Sequence, residues 1–282
     1  MNGTKRRRSI VAAVTAVIAV AALVGCATGG STPHASSTAN TKNYNLITPG
    51  TLTVAVTGGS KPIVYLDASG TNWIGFEPDL VKYAAKVAGI KKVVFIEQDF
   101  SSLLADVAAR KYDIGAAGIG DTKEREQTVD FTSNYLAGYL VFIDNPSAGI
   151  KSLADVAGKR VGVVKGTVED GFLQTQTPKA LRVEFPDNNS AVQALVSGSV
   201  DTVFLDDGVA ETYTKQHPQL IVSLKTEPKT GYAAWPIAKQ NTALRLALNK
   251  GIAKAISSGY LESLYKKWLP GFDIFPQYLP KK

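Results

Sequence analysis

Three stretches of this sequence end an apolar run in residues able to hold a small charged molecule. The first is GAAGIGDTKER, residues 115–125. Its strand is expected to end at Gly118-Ile119-Gly120, where bare backbone N–H groups let a ligand approach closely. Thr122 is placed to cap a short helix with Arg125 in its first turn. A cation there opposes the helix dipole, so an anion must compensate. Two sources of that anion stay open: Glu124 or Glu126 within the chain, or a ligand carboxylate gripped in a bidentate fork.

The second stretch is Lys165-Gly166-Thr167-Val168-Glu169-Asp170. Thr167 and Asp170 are spaced as a capping box. A glycine turn entering a helix N-terminus binds anions, but Glu169 and Asp170 already complement the dipole, which favours a structural role. No Gly-Lys-Ser/Thr follows, and no GxGxxG is present, so neither nucleotide loop is indicated. The third stretch is VDTVFLDDG, residues 200–208. Asp207 is the better placed of its two aspartates to cap the next helix. Asp206 is left either to a structural role or to a cationic group in a cleft. The aromatic residues near these ends (Tyr65, Trp73, Phe100, Tyr135, Trp235) read as core rather than as ligand platforms, and Lys266 and Lys267 as a solvated helix face.

Composition removes other chemistries. The chain has 282 residues, one cysteine, two histidines and one methionine. No internal disulfide can form, and no metal cluster, haem site or Ser-His-Asp triad is supplied; no cofactor is expected. His34 lies in a polar stretch and His217 in a helix-to-strand loop. The net charge of +7 includes Lys5, Arg6, Arg7 and Arg8, which stand before Cys26 without any acid. Without them 27 basic residues face 24 acidic ones, a net +3. The basic balance is therefore partly a targeting feature, and nucleic acid is not an expected partner.

The elements that must position these residues alternate. TLTVAV (51–56), KVVFIE (92–97), DIGAAGIG (113–120), KRVGVVK (159–165), LRVEF, VDTVFL (200–205) and TGYAAWPIA (230–238) read as strands. Helical spacing separates them: Leu80, Ala84, Val87 and Ala88 with Pro78 at the first helical position, Ser101 to Arg110, the stretch from Val168, Ser190 to Val196, the stretch from Gly208, and about 241–256 and 258–268. The alternation occurs twice, which indicates two α/β lobes with largely parallel sheets, and ligands of such sheets sit beyond the carboxyl ends of the strands. Before them, the basic run and the apolar run Ile10 to Val24 are too short to span a membrane, which takes about 20 apolar residues, and read as a secretory signal. The Arg run also suits a twin-arginine route. Leu23-Val24-Gly25-Cys26 resembles a bacterial lipobox, whose cysteine is acylated; the alternative is a plain signal peptide with an incidental cysteine. Ala27 to about Asn45 is polar and without period, a flexible tether.

Taken together, GTLTVAV, NWIGFEPDLVKYAAK, DFSSLLADVAARKYDIGAAGIGDTKEREQTVDFTSNY, SLADVAGKRVGVVKGT, VDTVFLDD and GYLESLYKKW resemble, in order over about residues 50–269, the extracellular solute-binding proteins of family 3, the receptors of polar amino-acid ABC importers. The resemblance implies a periplasmic-binding-protein-like fold of type II: two α/β lobes joined by a two-strand hinge that closes on a solute. The hinge is expected near Tyr135–Tyr139 and Pro228–Tyr232. The implied organisation is a lipoprotein signal peptide (1–25), a tether (26–45), a first lobe (46–137), a second lobe (138–230), and a return to the first lobe with a C-terminal tail (231–282).

By the same resemblance, Arg125 grips the solute's α-carboxylate and Asp206 receives its α-ammonium. Phe100 forms an apolar wall, Gly118 and Gly120 donate hydrogen bonds, and Val168 and Glu169 touch the solute from the second lobe. Gly120 stands where a hydroxyl residue is usual, Ser60 where an aromatic lid is common, and Val168 where threonine is frequent. Asp121 and Glu169 add negative charge, which favours a cationic or amine-bearing solute (arginine-like or opine-like). The implied protein is not an enzyme. It is a monomer, exported, lipid-anchored through Cys26 to the outer face of the cell membrane, and partnered with a small-molecule solute and an ABC permease. Two alternatives remain: a dehydratase of the cyclohexadienyl type, for which Glu169 is the one candidate acid, and a sensor that signals to a separate protein.

Overall fold

The computed structural model describes residues 43–226, 233–272 and 274–280. The signal segment, Cys26, most of the tether and the expected hinge at Pro228–Tyr232 lie outside the described residues. The chain opens with β1 (Thr51–Val56), the antiparallel pair β2 (Tyr65–Leu66) and β3 (Trp73–Ile74), α1 (Phe76–Ala88), β4 (Lys92–Glu97), α2 (Phe100–Ala108), β5 (Ile114–Gly115) and β6 (Asp130–Phe131). It continues through β7 (Leu140–Asp144), β8 (Arg160–Val164), α3 (Val168–Gln176), β9 (Leu181–Phe185), α4 (Asn188–Val196), β10 (Thr202–Asp206), α5 (Asp207–Gln216) and β11 (Ile221–Lys225). It closes with β12 (Pro236–Ile237), α6 (Thr242–Ser257) and α7 (Tyr260–Trp268).

Two five-stranded sheets result, ordered β4-β1-β5-β12-β6 and β11-β7-β10-β8-β9. The expectation of largely parallel sheets needs correction, because both are mixed. β1 runs parallel to β4 and β5, and β8 parallel to β9 and β10. β12 runs against β5 and β6, and β7 against β10 and β11. The reversed strand in each sheet is the first one after the chain has crossed from the other sheet. A parallel neighbour needs a crossover that returns within its own sheet, and these two strands arrive without one. β7 and β11 are absent from the sequence reading. LVFID is buried at every residue, so it carries no alternation to reveal a strand.

Other differences have local causes. α1 begins at Phe76, so Pro78 is its third residue, where the backbone N–H has no intrahelical partner and proline is tolerated. The helix ends at Gly89 in the left-handed region, φ 83°. DIGAAGIG is a strand only at Ile114–Gly115. The Ala116 N–H still bonds Ala55 at 2.8 Å, and then the chain turns at Gly118, φ 64°. Near the start of the described chain, Tyr44 is buried and its hydroxyl donates to the Ala88 carbonyl at 2.8 Å, so that end of the expected tether is docked on α1. No helix among the described residues is long and apolar enough to cross a membrane.

The first lobe is held by α1 and α6 packed over its sheet. Contact between them is close because Gly251 of α6 faces Ala84 of α1, where an added Cβ would stand 2.6 Å from the Ala84 Cα. Phe76, Tyr135, Trp235 and Tyr265 fill the space beneath them as a buried aromatic cluster. The second lobe's sheet is centred on the stacked rings of Phe142 and Phe204, 4.1 Å between centroids. Gly251→Ala is expected to push α6 off α1 and cost about 1–3 kcal/mol of stability. Urea denaturation measures it, and an unchanged midpoint contradicts the packing described.

Candidate functional site

Arg125, Asp206, Phe100, Gly118, Gly120, Val168, Glu169 and Ser60 all line one cavity between the two sheets. The first sheet supplies its side through the turn after β5 and the N-terminus of α2. The second sheet supplies its side through the end of β10 and the first turn of α3.

Arg125 starts a single 3-10 turn, Arg125–Gln127, and its backbone N–H reaches the Thr122 hydroxyl at 3.3 Å. Its Nη1 donates to the Gly120 carbonyl at 2.9 Å and its Nη2 to the Gly166 carbonyl of the opposite lobe at 3.1 Å. The guanidinium lies 5.5 Å from the centre of the Phe100 ring. Glu126, one of the two in-chain candidates for its counter-charge, is bonded to Lys123 at 2.8 Å instead. Burial makes the Arg125 cation less favourable, and the fields of Glu169, Glu124 and Asp206 oppose that. Among the described residues no carboxylate closes an ion pair with it.

Asp206 is the last residue of β10 and stands at the N-cap position of α5, but its side chain does not cap the helix. The expected cap by Asp207 also fails. Asp207 is already helical, its N–H donates to the Tyr139 carbonyl at 2.9 Å, and its Oδ1 accepts from Gly208 at 2.9 Å. Among the described residues, no hydrogen bond reaches the Asp206 carboxyl. Burial raises its pKa well above the ordinary value of 3.8, and Glu169, Asp207 and Glu77 raise it further against the pull of Arg125. Glu169 is buried in the first turn of α3. Burial likewise raises its pKa, opposed by the α3 N-terminus, the Thr167 hydroxyl and Arg125.

The capping box is half made. The Thr167 hydroxyl accepts from the Asp170 N–H at 3.2 Å, but the Asp170 carboxylate turns to the Gly166 N–H at 2.9 Å and to Arg182. Thus the chain's own acid occupies the anion-binding capacity of that turn. Gly118 also departs from expectation. Its N–H is taken by the buried Glu77 carboxylate, at 3.1 and 3.2 Å to the two oxygens, so it is not a free donor. The Gly120 N–H has no acceptor among the described residues, and Gly120 lines the cavity with Arg125. Asp121 does not line the cavity, and its carboxylate accepts from Asn134 at 2.8 Å. Ser60 accepts from Asn188 across the lobes at 3.4 Å.

Sequence reasoning missed Glu77, Asp187 and Asn188. Asp187 caps α4 through the Ser190 N–H at 2.9 Å and stands where the cavity widens into a cleft edged by Glu97 and Asp99. Its capping position was visible in PDNNS; its place at the cavity mouth was not. Among the described residues no cluster of His, Cys, Asp or Glu could hold a metal ion.

Buried acids with raised pKa values destabilise the folded chain as pH climbs, because the native state keeps a proton that the unfolded chain has lost. Asp206→Asn is therefore expected to raise the thermal midpoint of the empty protein at pH 7 and to flatten its loss of stability above pH 3.8. A midpoint that falls at pH 7 contradicts the dehydrated, unpaired state of this carboxyl.

Residues 52–271 match the bacterial extracellular solute-binding proteins, family 3. The arginine-binding extracellular protein ArtP of Bacillus subtilis is 31% identical over 75% of this chain and 83% of its own length. The ABC transporter arginine-binding protein 1 of Escherichia coli is 31% identical over 70% of this chain and 82% of its own. The structure of an ancestral arginine-binding protein bound to arginine superposes with a TM-score of 0.73 at 31% identity, over 78% of this chain and 98% of that one. These likenesses span both sheets and the cavity between them, and the two-lobed arrangement is that of amino-acid-binding proteins. The chain belongs to the bacterial extracellular solute-binding proteins of family 3.

Proposed function

We propose that this protein captures a basic amino acid, of the arginine class, by closing its two lobes, and delivers it to the permease of an ABC importer. The observation that carries the reading is the charge inside the cavity. One cation, Arg125, faces the buried carboxyl of Glu169 and the half-buried carboxyl of Asp206, with Asp187 at the mouth. An α-carboxylate fits the Arg125 fork and the Gly120 N–H; an α-ammonium fits Asp206. A neutral amino acid then leaves Glu169 without a counter-charge, whereas a basic side chain supplies one and can extend toward Asp187. The relatives named for arginine support the same class.

Closure follows from where the poles sit. Arg125 comes from the first lobe, Asp206 and Glu169 from the second. A solute that touches both stabilises the closed arrangement over the open one. Bonds between lobes add to it: Arg125 to Gly166, and Tyr213 to the Gly59 carbonyl at 2.9 Å. Hydrogen bonds to charged groups contribute about 1.5–3 kcal/mol each, and micromolar binding needs about 8 kcal/mol. Two charged anchors, a side-chain cation and the Phe100 wall are enough for that. Gly120, Ser60 and Val168 contribute little side-chain grip, so the charges carry most of the recognition. The receptor works as a monomer, from a first lobe (46–137), a second lobe (138–230) and a returning segment (231–282). Residues 1–25 are its signal peptide, and the tether from Cys26, whose far end docks on α1 through Tyr44, holds it to lipid at the outer membrane face.

Titration calorimetry with arginine, lysine, histidine and glutamine tests the solute class. Basic solutes are expected to bind most tightly; a preference for glutamine overturns the reading. Arg125→Ala is expected to weaken arginine by about a hundredfold with the circular dichroism spectrum unchanged, and unaltered binding removes Arg125 from the site. Cys26→Ser is expected to move the exported protein from the membrane to the soluble fraction. Persistence on the membrane rules out the lipid anchor.

A further inference from the structure

Glu77 is fully buried in the first turn of α1, and among the described residues no lysine, arginine or histidine pairs with it. Its carboxylate has two donors. One is the Gly118 N–H at 3.1 and 3.2 Å, from the turn that lines the solute cavity. The other is the Tyr135 hydroxyl, in the segment that carries the chain from the first sheet toward the second. Tyr135 is itself held: its N–H donates to the Ala233 carbonyl at 3.1 Å, and the Tyr265 hydroxyl donates to its carbonyl at 3.2 Å.

A buried charge without a counter-ion is expensive, and a chain keeps one where its hydrogen bonds hold something in place. Here the groups held are a rim of the cavity and the crossing on which the lobes turn. The peptide unit is planar and trans, so fixing the Gly118 N–H also fixes the Ala117 carbonyl on its opposite side. Ala117 and Gly118 both line the cavity. At φ 64° the Gly118 turn is one of several backbone arrangements open to glycine, and the carboxylate selects it.

We propose that Glu77 is a positioning residue of the solute site, joining the Gly118 rim to the Tyr135 crossing through one shared carboxylate. The idea rests on the cavity being the solute site. It implies that the rim changes with the proton on Glu77. Burial pushes that carboxyl up to about 7, against the lowering effect of the Tyr135 and Gly118 bonds. The other titrating groups that face this cluster are Asp206, whose ionisation Glu77 disfavours, and Tyr265 and Tyr278, which act on Tyr135. The ionised form holds Gly118 most firmly and adds negative potential beside Asp206. The protein should therefore bind a cationic solute better above pH 7 than below it.

The test reads the Gly118 amide by NMR across pH in the purified protein, together with the affinity for arginine. In the parent protein the amide is expected to titrate near pH 7, and Glu77→Gln abolishes that step. Tyr135→Phe removes one stabilising donor, so it moves the step to higher pH; it also carries the test if Glu77→Gln does not fold. Glu77→Gln is expected to bind arginine about tenfold more weakly at pH 8 and to match the parent below pH 6. A purely structural role would lower the melting point without that convergence. An amide that does not titrate, or a variant-to-parent affinity ratio constant with pH, overturns the proposal. If the parent binds no arginine, the solute class proposed above fails, while the amide titration still decides the role of Glu77.

Discussion

One guanidinium between two lobes, facing carboxyls with which, among the described residues, it closes no ion pair, is the constraint on which this structure depends. Arg125 is held by carbonyl oxygens of Gly120 and Gly166, which orient it without cancelling its charge. Half-buried Asp206 and buried Glu169 stand opposite, with pKa values raised by loss of water and by neighbouring acids, Glu169 and Asp207 for the one and Asp170 for the other. Removing charges from water without pairing them opposes folding. That cost is what supports the proposal that the missing partners come from a bound solute. In the proposed reading, a dipolar solute that touches both lobes supplies the missing partners and favours the closed arrangement.

Architecture delivers the poles to that gap. Both sheets end their parallel strands toward the interface, so the turn after β5, the start of α3 and the end of β10 converge. The reversed strands β7 and β12 each follow a passage between sheets. The passage is what allows a single chain to build two lobes that meet at their ligand-facing ends. Glu77 sits where these features touch, bonded at once to the cavity rim and to the residue that begins the first passage. Position in the first turn of α1 also places its carboxylate where the helix dipole favours negative charge.

Much of this architecture is legible in the sequence. Two lobes, most of the helices and the longer strands of the first lobe follow from alternation of apolar runs with helical spacing. The eight residues expected at the site, taken from strand ends and from family resemblance, do come together around one cavity. The misses share a cause. Gly118 was expected to donate to the solute, but its N–H is spent on an acid 41 residues earlier in the chain. Asp207 was expected to cap α5, and Asp170 to complete its box. Each carboxylate found another backbone donor nearby instead. β7 was invisible because a strand buried on both faces has no polar alternation.

The sequence alone therefore determined the types of element, their order and the supply of charged residues at their ends, because these depend on local periodicity and turn chemistry. Tertiary structure decided which charges remain unpaired, which backbone donors stay free and how the carboxylates influence one another. Those properties depend on distance and on exclusion of water between segments far apart in the chain. No local pattern encodes them, and they are what brings Arg125, Asp206 and Glu169 to one cavity rather than leaving three separate surface charges.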